Sequence, residues 1–190
     1  EAPRTGGAVV RLLGNHELAL LQGEDDFTDV EDWQGFRRIL DQDVLAGKVR
    51  GAYAGQGYLF THAGVRSEMR EHLLEGRQSP GGDGISQVLA DKINCILVEA
   101  VKRNNFSDKI FQVGRSSGGD YPVGGIFWDR GVFSSLNASR VPQVFGHTPE
   151  VEIRRSPSGG LWDIDVGIHC FEGRAYLTLR GGKPTARKVP

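Results

Sequence analysis

The sequence predicts an α/β fold in which β-sheets are flanked by helices, and three observations predict it. Near the N-terminus the apolar run Ala8-Val9-Val10 leads through Leu13-Gly14-Asn15-His16-Glu17 into Leu18-Ala19-Leu20-Leu21, the pattern of a strand, a tight loop and a helix. From Ile85 to Lys102 the residues Ile85, Val88, Leu89, Ile93, Ile96, Leu97, Ala100 and Val101 form an apolar stripe broad enough to cover a sheet. The last third is a succession of short apolar runs separated by Gly, Ser and Pro, as strands are.

Taken in order, the first strand covers Ala8 to Leu13 and a short helix runs through Leu21. Glu24, Asp25, Asp26, Asp29, Glu31 and Asp32 follow without the alternating spacing and closing Gly of a calcium loop, so they read as a solvated face with helix N-terminal charge. Trp33 to Lys48 repeats Trp33, Phe36, Ile39, Leu40, Val44 and Leu45 at helical spacing, a packing helix ended by Gly47. Val49 to Ala54 and Tyr58 to Thr61 form a hairpin through Gly55-Gln56-Gly57. Ser67 to Glu75 is helical and His72 reads as exposed there. Pro80-Gly81-Gly82-Asp83-Gly84 is a break before the long helix, and Cys95 beside that helix's stripe reads as a buried structural thiol. Asn104 to Gly125, rich in Gly, Ser and Asp, is a surface excursion bordering a cleft, and it ends in an apolar strand reaching Trp128. The closing strands are Val141–Phe145, Val151–Arg155, Leu161–Val166 and Ala175–Leu179, with turns at Ser156–Gly160 and Glu172-Gly173.

Composition narrows the function classes. A chain of 190 residues, 38% hydrophobic and 25% charged, buries a substantial core and is most simply one domain over residues 1–190. The 23 basic and 24 acidic residues leave no global field favouring nucleic acid or an anionic membrane, so phosphate recognition has to be local. Two cysteines, Cys95 and Cys170, are too few for a disulfide scaffold, and no apolar run has the length of a membrane span. An intracellular setting is the expectation, with the compartment open. Asn137-Ala138-Ser139 is a glycosylation sequon of the kind that occurs by chance.

Three loops carry the chemistry. Each follows an apolar strand, holds a histidine and is cushioned by glycine: Gly14-Asn15-His16, His62-Ala63-Gly64 and Gly146-His147-Thr148. Their common explanation is one metal site at the end of a sheet. Asn and His donors suit Mn, Fe or Zn, ions that activate water and polarise phosphate. In Trp128-Asp129-Arg130-Gly131 the guanidinium is placed either to take two phosphate oxygens or to close a structural Asp-Arg turn.

The ordered set Leu13-Gly14-Asn15-His16-Glu17, His62-Ala63-Gly64, Trp128-Asp129-Arg130-Gly131, Gly146-His147-Thr148 and Asp163-Ile164-Asp165-Val166-Gly167 resembles the PPP-type, calcineurin-like metallophosphatases, and within them the Shewanella-like branch. Thr61-His62-Ala63-Gly64 and the Asp-x-Gly piece are also similar to diadenosine tetraphosphate hydrolases. The resemblance implies a metallophosphoesterase β-sandwich flanked by helices. It implies that Asn15, His62 and His147 are ligands of one metal ion, that His16 protonates the leaving group and that Arg130 binds substrate phosphate. The implied reaction is hydrolysis of a phosphomonoester, of phosphoserine or phosphothreonine in protein, by direct attack of a hydroxide held between two divalent ions.

Family members also carry Asp-x-His and Gly-Asp-x-x-Asp-Arg motifs before Gly-Asn-His-Glu, and those are not in the sequence, which supplies ligands for one of two ions. Three readings follow: the C-terminal portion of a catalytic domain, a dinucleoside polyphosphate hydrolase, or an inactive phosphatase-like subunit in an assembly with a partner. The expected partners are a phosphorylated protein or a small phosphate ester, with no nucleic acid and no membrane.

Overall fold

A computed structural model describes residues 7–24, 31–75, 84–133, 140–167 and 174–189. Asp25, Asp26, Asp29, the Pro80–Asp83 break, the Asn137 sequon, Cys170 and the Glu172-Gly173 turn lie outside the described residues. Strand β1 (Arg11–Leu12) runs into helix α1 (Asn15–Gln22), and α2 covers Trp33–Leu45. The expected strand through residue 54 divides into β2 (Val49–Arg50) and β3 (Ala52–Gly55), and β4 is Tyr58–Thr61. Helices α3 (Ser67–Leu74) and α4 (Gly84–Arg103) come next. Then follow short strands β5 (Gln143–Phe145), β6 (Arg154–Arg155), β7 (Leu161–Asp163), β8 (Ala175–Arg180) and β9 (Lys183–Lys188).

Among the described residues, β3-β4-β5-β7-β6 form a mixed five-stranded sheet in that order, and β1 pairs in parallel with β2. Strands β4, β5 and β7 are mutually parallel, so their carboxyl ends share one edge. Strand alternation sends side chains to two faces. Leu59 faces the main core with Leu89, Ile93 and Leu97 of α4, while Tyr58, Phe60, Val144 and Trp162 face Leu177 and Leu179 of the β8–β9 hairpin. Helices therefore cover one face of the sheet and a hairpin the other.

The division at Gly51 has a local cause. The α4 side chain of Asn94 accepts from the Gly51 and Ala52 amides (2.9 and 3.1 Å) and donates to the Ala52 carbonyl (2.9 Å). One amide group thus takes the backbone bonds that a continuous strand would have made, and Ile93 lies 2.9 Å from where a Cβ on Gly51 would stand. The hairpin turn places Gln56 and Gly57 at φ 55° and 80°, the primed geometry that matches strand twist.

Several expectations need correction. Ile126 to Trp128 is a buried turn and not a strand: the Trp128 and Asp129 amides both donate to the Gly125 carbonyl. The strand expected from Val151 is limited to Arg154–Arg155, with Val151 exposed. Strand β9 has no apolar pattern to announce it, because Lys183, Pro184, Arg187 and Lys188 carry the charge and proline of an edge strand. Cys95 is exposed on α4 and not buried. His72 is half-buried, its Nε2 2.9 Å from Asp108 Oδ1. Within α2 only Leu40 and Val44 are fully buried, while Phe36, Ile39 and Leu45 stay exposed.

Candidate metal and phosphate site

Asn15 and His16 are the first residues of helix α1 and not members of a loop. Gly14, the N-cap, has an ordinary φ of −96°, so no backbone angle demands glycine there. A Cβ would stand 2.6 Å from Glu17 Oε2 and 3.4 Å from His62 Cε1. The Gly14 amide donates to Glu17 Oε2 (3.1 Å), which fixes the entry of the helix.

His62 follows β4 directly. Its loop is held at four points: the Gly64 amide donates to Thr61 Oγ1 (3.0 Å), the Val65 amide to Gln143 Oε1 (2.8 Å), Gln143 Nε2 to the Val65 carbonyl (2.9 Å), and the Gly146 amide to the His62 carbonyl (2.8 Å). Gly64 does need glycine for its angle, at φ 90°. His147 follows β5 with φ 76°, a left-handed conformation that a side chain of its size adopts at a cost of about 1 kcal/mol or more.

These elements bring three donor atoms together. Asn15 Oδ1 is 2.8 Å from His62 Nε2, which is 3.1 Å from His147 Nδ1. Burial pushes His147 down to about 3, assisted by His62, Arg130 and His16; burial likewise lowers His62, against the opposing pull of Glu17 and Asp165. Both rings are neutral at pH 7, the state in which imidazole binds metal. Hydrogen bonding alone does not satisfy the cluster. If His62 Nε2 donates, His147 Nδ1 is an acceptor and the His147 Nε2 hydrogen is buried with no acceptor; if His147 Nδ1 donates, the lone pairs of His62 Nε2 and Asn15 Oδ1 face each other. A cation satisfies all three inward lone pairs at once, and donors about 2.1 Å from a shared ion stand roughly 3 Å apart. The residues present therefore fit a divalent ion. Among the described residues no cluster of three His, Cys, Asp or Glu side chains could hold a metal; this set is two imidazoles and an amide.

The Trp128-Asp129-Arg130-Gly131 segment resolves its own ambiguity. Asp129, nearly inaccessible, pairs through both oxygens with Arg66 (2.5 and 2.6 Å), and Asp129 Oδ1 also accepts from the Gly131 amide (2.8 Å). The hydrogen bond to Asp129 holds the Arg66 guanidinium above its usual range. The structural Asp-Arg pair exists, then, but with Arg66. Arg130 is exposed beside His147, whose charged form it disfavours, and Trp128 lies edge-on to the His147 ring. His16 is exposed on α1, close enough to disfavour the charged forms of both rings.

All five sequence-predicted residues, Asn15, His16, His62, Arg130 and His147, thus share one neighbourhood. Sequence reasoning missed Arg66, which holds Asp129, and Gln143, which holds the His62 loop. The signal for Arg66 and Gln143 was weak because their partners lie 63 and 78 positions away. Asp163, in the Asp-x-Asp-x-Gly piece, is buried and accepts from the Asp165 amide (3.2 Å); burial pushes its carboxyl up to about 7.

No protein-family model and no curated protein matches the sequence. Two crystal structures of a cold-active protein tyrosine phosphatase, one of them a point mutant, share the fold. The mutant matches with a TM-score of 0.65 at 18% identity over 100% of this chain and 61% of that one. The other matches with a TM-score of 0.59 at 18% identity over 95% and 58%. The chain spans about three fifths of the length of these structures, and likeness at this identity is a likeness of fold.

Proposed function

We propose that the chain carries one part of the active centre of a divalent-metal-dependent phosphomonoesterase that acts on phosphoprotein, of the calcineurin-like type. The observation that supports it is the convergence of Asn15 Oδ1, His62 Nε2 and His147 Nδ1 beside the Arg130 guanidinium. A divalent ion bound there would supply Lewis acidity toward a phosphate oxygen and lower the pKa of water. Asn15, His62 and His147 are the residues that would hold it. Arg130 binds and neutralises two phosphate oxygens, and His16 gives its proton to the leaving oxygen. Ligands of a second ion would be of the kind that Asp-x-His and Gly-Asp-x-x-Asp-Arg motifs supply in the family that the sequence resembles.

The fold neighbours are tyrosine phosphatases, which favours a phosphotyrosyl substrate beside the serine/threonine one expected from the family resemblance. The deciding experiment is elemental analysis of the full-length protein alongside assays on phosphoseryl peptide, phosphotyrosyl peptide and a dinucleoside polyphosphate. Asn15→Ala is expected to lower metal content. His16→Asn is expected to retain it while losing roughly 100-fold or more in turnover. Near-normal turnover in His16→Asn removes His16 from the mechanism. Wild-type protein without metal and without turnover supports the inactive-subunit reading instead.

A further inference from the structure

We infer that Ser117 is a positioning residue that aims the Arg130 guanidinium at substrate phosphate, a role that rests on the phosphomonoesterase reading. The Ser117 hydroxyl donates to the Trp128 carbonyl (2.9 Å), and Arg130 Nε donates to the same Ser117 oxygen (3.0 Å). A hydroxyl has one hydrogen, and with that hydrogen committed to Trp128 the lone pairs are directed at the arginine. Polarisation along such a chain strengthens both bonds. Binding through Nε has a geometric result. It fixes the plane of the guanidinium and leaves the two terminal nitrogens, with their parallel hydrogens, for a bidentate contact with an oxyanion. A phosphate dianion matches that fork.

The segment that presents Ser117 is built to hold it still. Ser117 ends a single 3-10 turn, Arg115–Ser117. On one side Gly114 and Tyr121 are bridged, with the Arg115 amide donating to the Tyr121 carbonyl (2.8 Å). On the other, the Ser117 amide donates to the Gly114 carbonyl (2.9 Å). Gly124 sits where a Cβ would stand 2.6 Å from the Trp128 carbonyl oxygen, so this excursion and the Arg130 segment pack backbone to backbone. The Gly- and Ser-rich stretch between Asn104 and Gly125 thereby carries one hydroxyl to a chosen place 13 positions before the arginine.

The inference is tested by steady-state kinetics on full-length protein with para-nitrophenyl phosphate, paired with hydrogen exchange of the Arg130 Nε–H, identified by nitrogen-15 NMR through its loss in Arg130→Lys. Ser117→Ala is expected to raise KM about three- to tenfold with kcat within about twofold, from the loss of one hydrogen bond. Ser117→Thr, which keeps the hydroxyl, restores KM. In an Arg130→Ala background, Ser117→Ala changes neither constant. A Ser117→Ala effect of equal size in that background overturns the inference, since the hydroxyl then acts through the Trp128 carbonyl alone. An unchanged KM in the single variant also overturns it. Absence of turnover in the wild type defeats the phosphomonoesterase reading on its own. The exchange measurement then still decides the orientation: faster Nε–H exchange in Ser117→Ala supports it, and unchanged exchange overturns it.

Discussion

Burial moves two side chains near the candidate centre, half-buried His147 and buried Asp163, in opposite directions from their ordinary pKa values. His147 is kept neutral by burial, and its left-handed backbone adds strain that persists only because β5 and the neighbouring loops fix it. Asp163 is kept protonated by burial, near 7 in the folded protein against a value near 4 when unfolded. A carboxyl whose folded pKa is raised contributes fully below the unfolded value, and that contribution is lost as pH rises through the folded one. Asp163→Asn, which keeps the acceptor for the Asp165 amide and removes the ionisation, should match wild type in stability near pH 4. By pH 8 it should exceed wild type by on the order of 4 kcal/mol. Urea denaturation of both proteins at the two pH values checks this, and a stability difference that does not grow with pH would show that Asp163 ionises freely in the fold.

Elements place the donors that the residues supply. The carboxyl ends of the parallel strands β4 and β5 deliver His62 and His147, and the start of α1 delivers Asn15 and His16. The strand ends that carry His62 and His147 were legible in the sequence, because each stands after an apolar run with glycine nearby, whereas Asn15 and His16 were expected in a loop and begin a helix. The clamps were not legible. Gln143 reads as a polar interruption in a strand, yet it is wholly buried and takes both backbone groups of Val65, 78 positions away. Ser117 is one of several serines in a glycine-rich stretch, and nothing local distinguishes it. Likewise Asp129 was ambiguous because its partner, Arg66, lies in another loop. Gln143→Leu should leave the Val65 amide and carbonyl buried without partners, lowering stability by roughly 2–4 kcal/mol and displacing the His62 loop. Thermal denaturation together with metal content measures both effects. A loss below about 0.5 kcal/mol would mean that water or a neighbour replaces the amide.

At the scale of the molecule, 23 basic against 24 acidic residues leave no global field of either sign, and an exposed cation, Arg130, stands next to the half-buried imidazole of His147. Among the described residues no helix is long and apolar enough to cross a membrane. The two-faced sheet was half legible. The stripe on α4 announces the helical face, whereas the face under β8–β9 depends on Leu177 and Leu179 meeting Trp162 across a hairpin whose second strand carries no apolar pattern. The shared fold with a tyrosine phosphatase at 18% identity fits this arrangement.

The single amide of Asn94 ties this architecture to its motions. Because Gly51 and Ala52 give their backbone hydrogens to α4 and not to a neighbouring strand, those two hydrogens report the docking of a helix from within a sheet. Their exchange with solvent should be as slow as that of the α4 core and should quicken together with it. In Asn94→Ala both should exchange at least tenfold faster than their strand neighbours, given the loss of about 1.4 kcal/mol or more from the broken contacts. Exchange of Gly51 and Ala52 that follows β3 while α4 stays protected would mean that the two layers open independently.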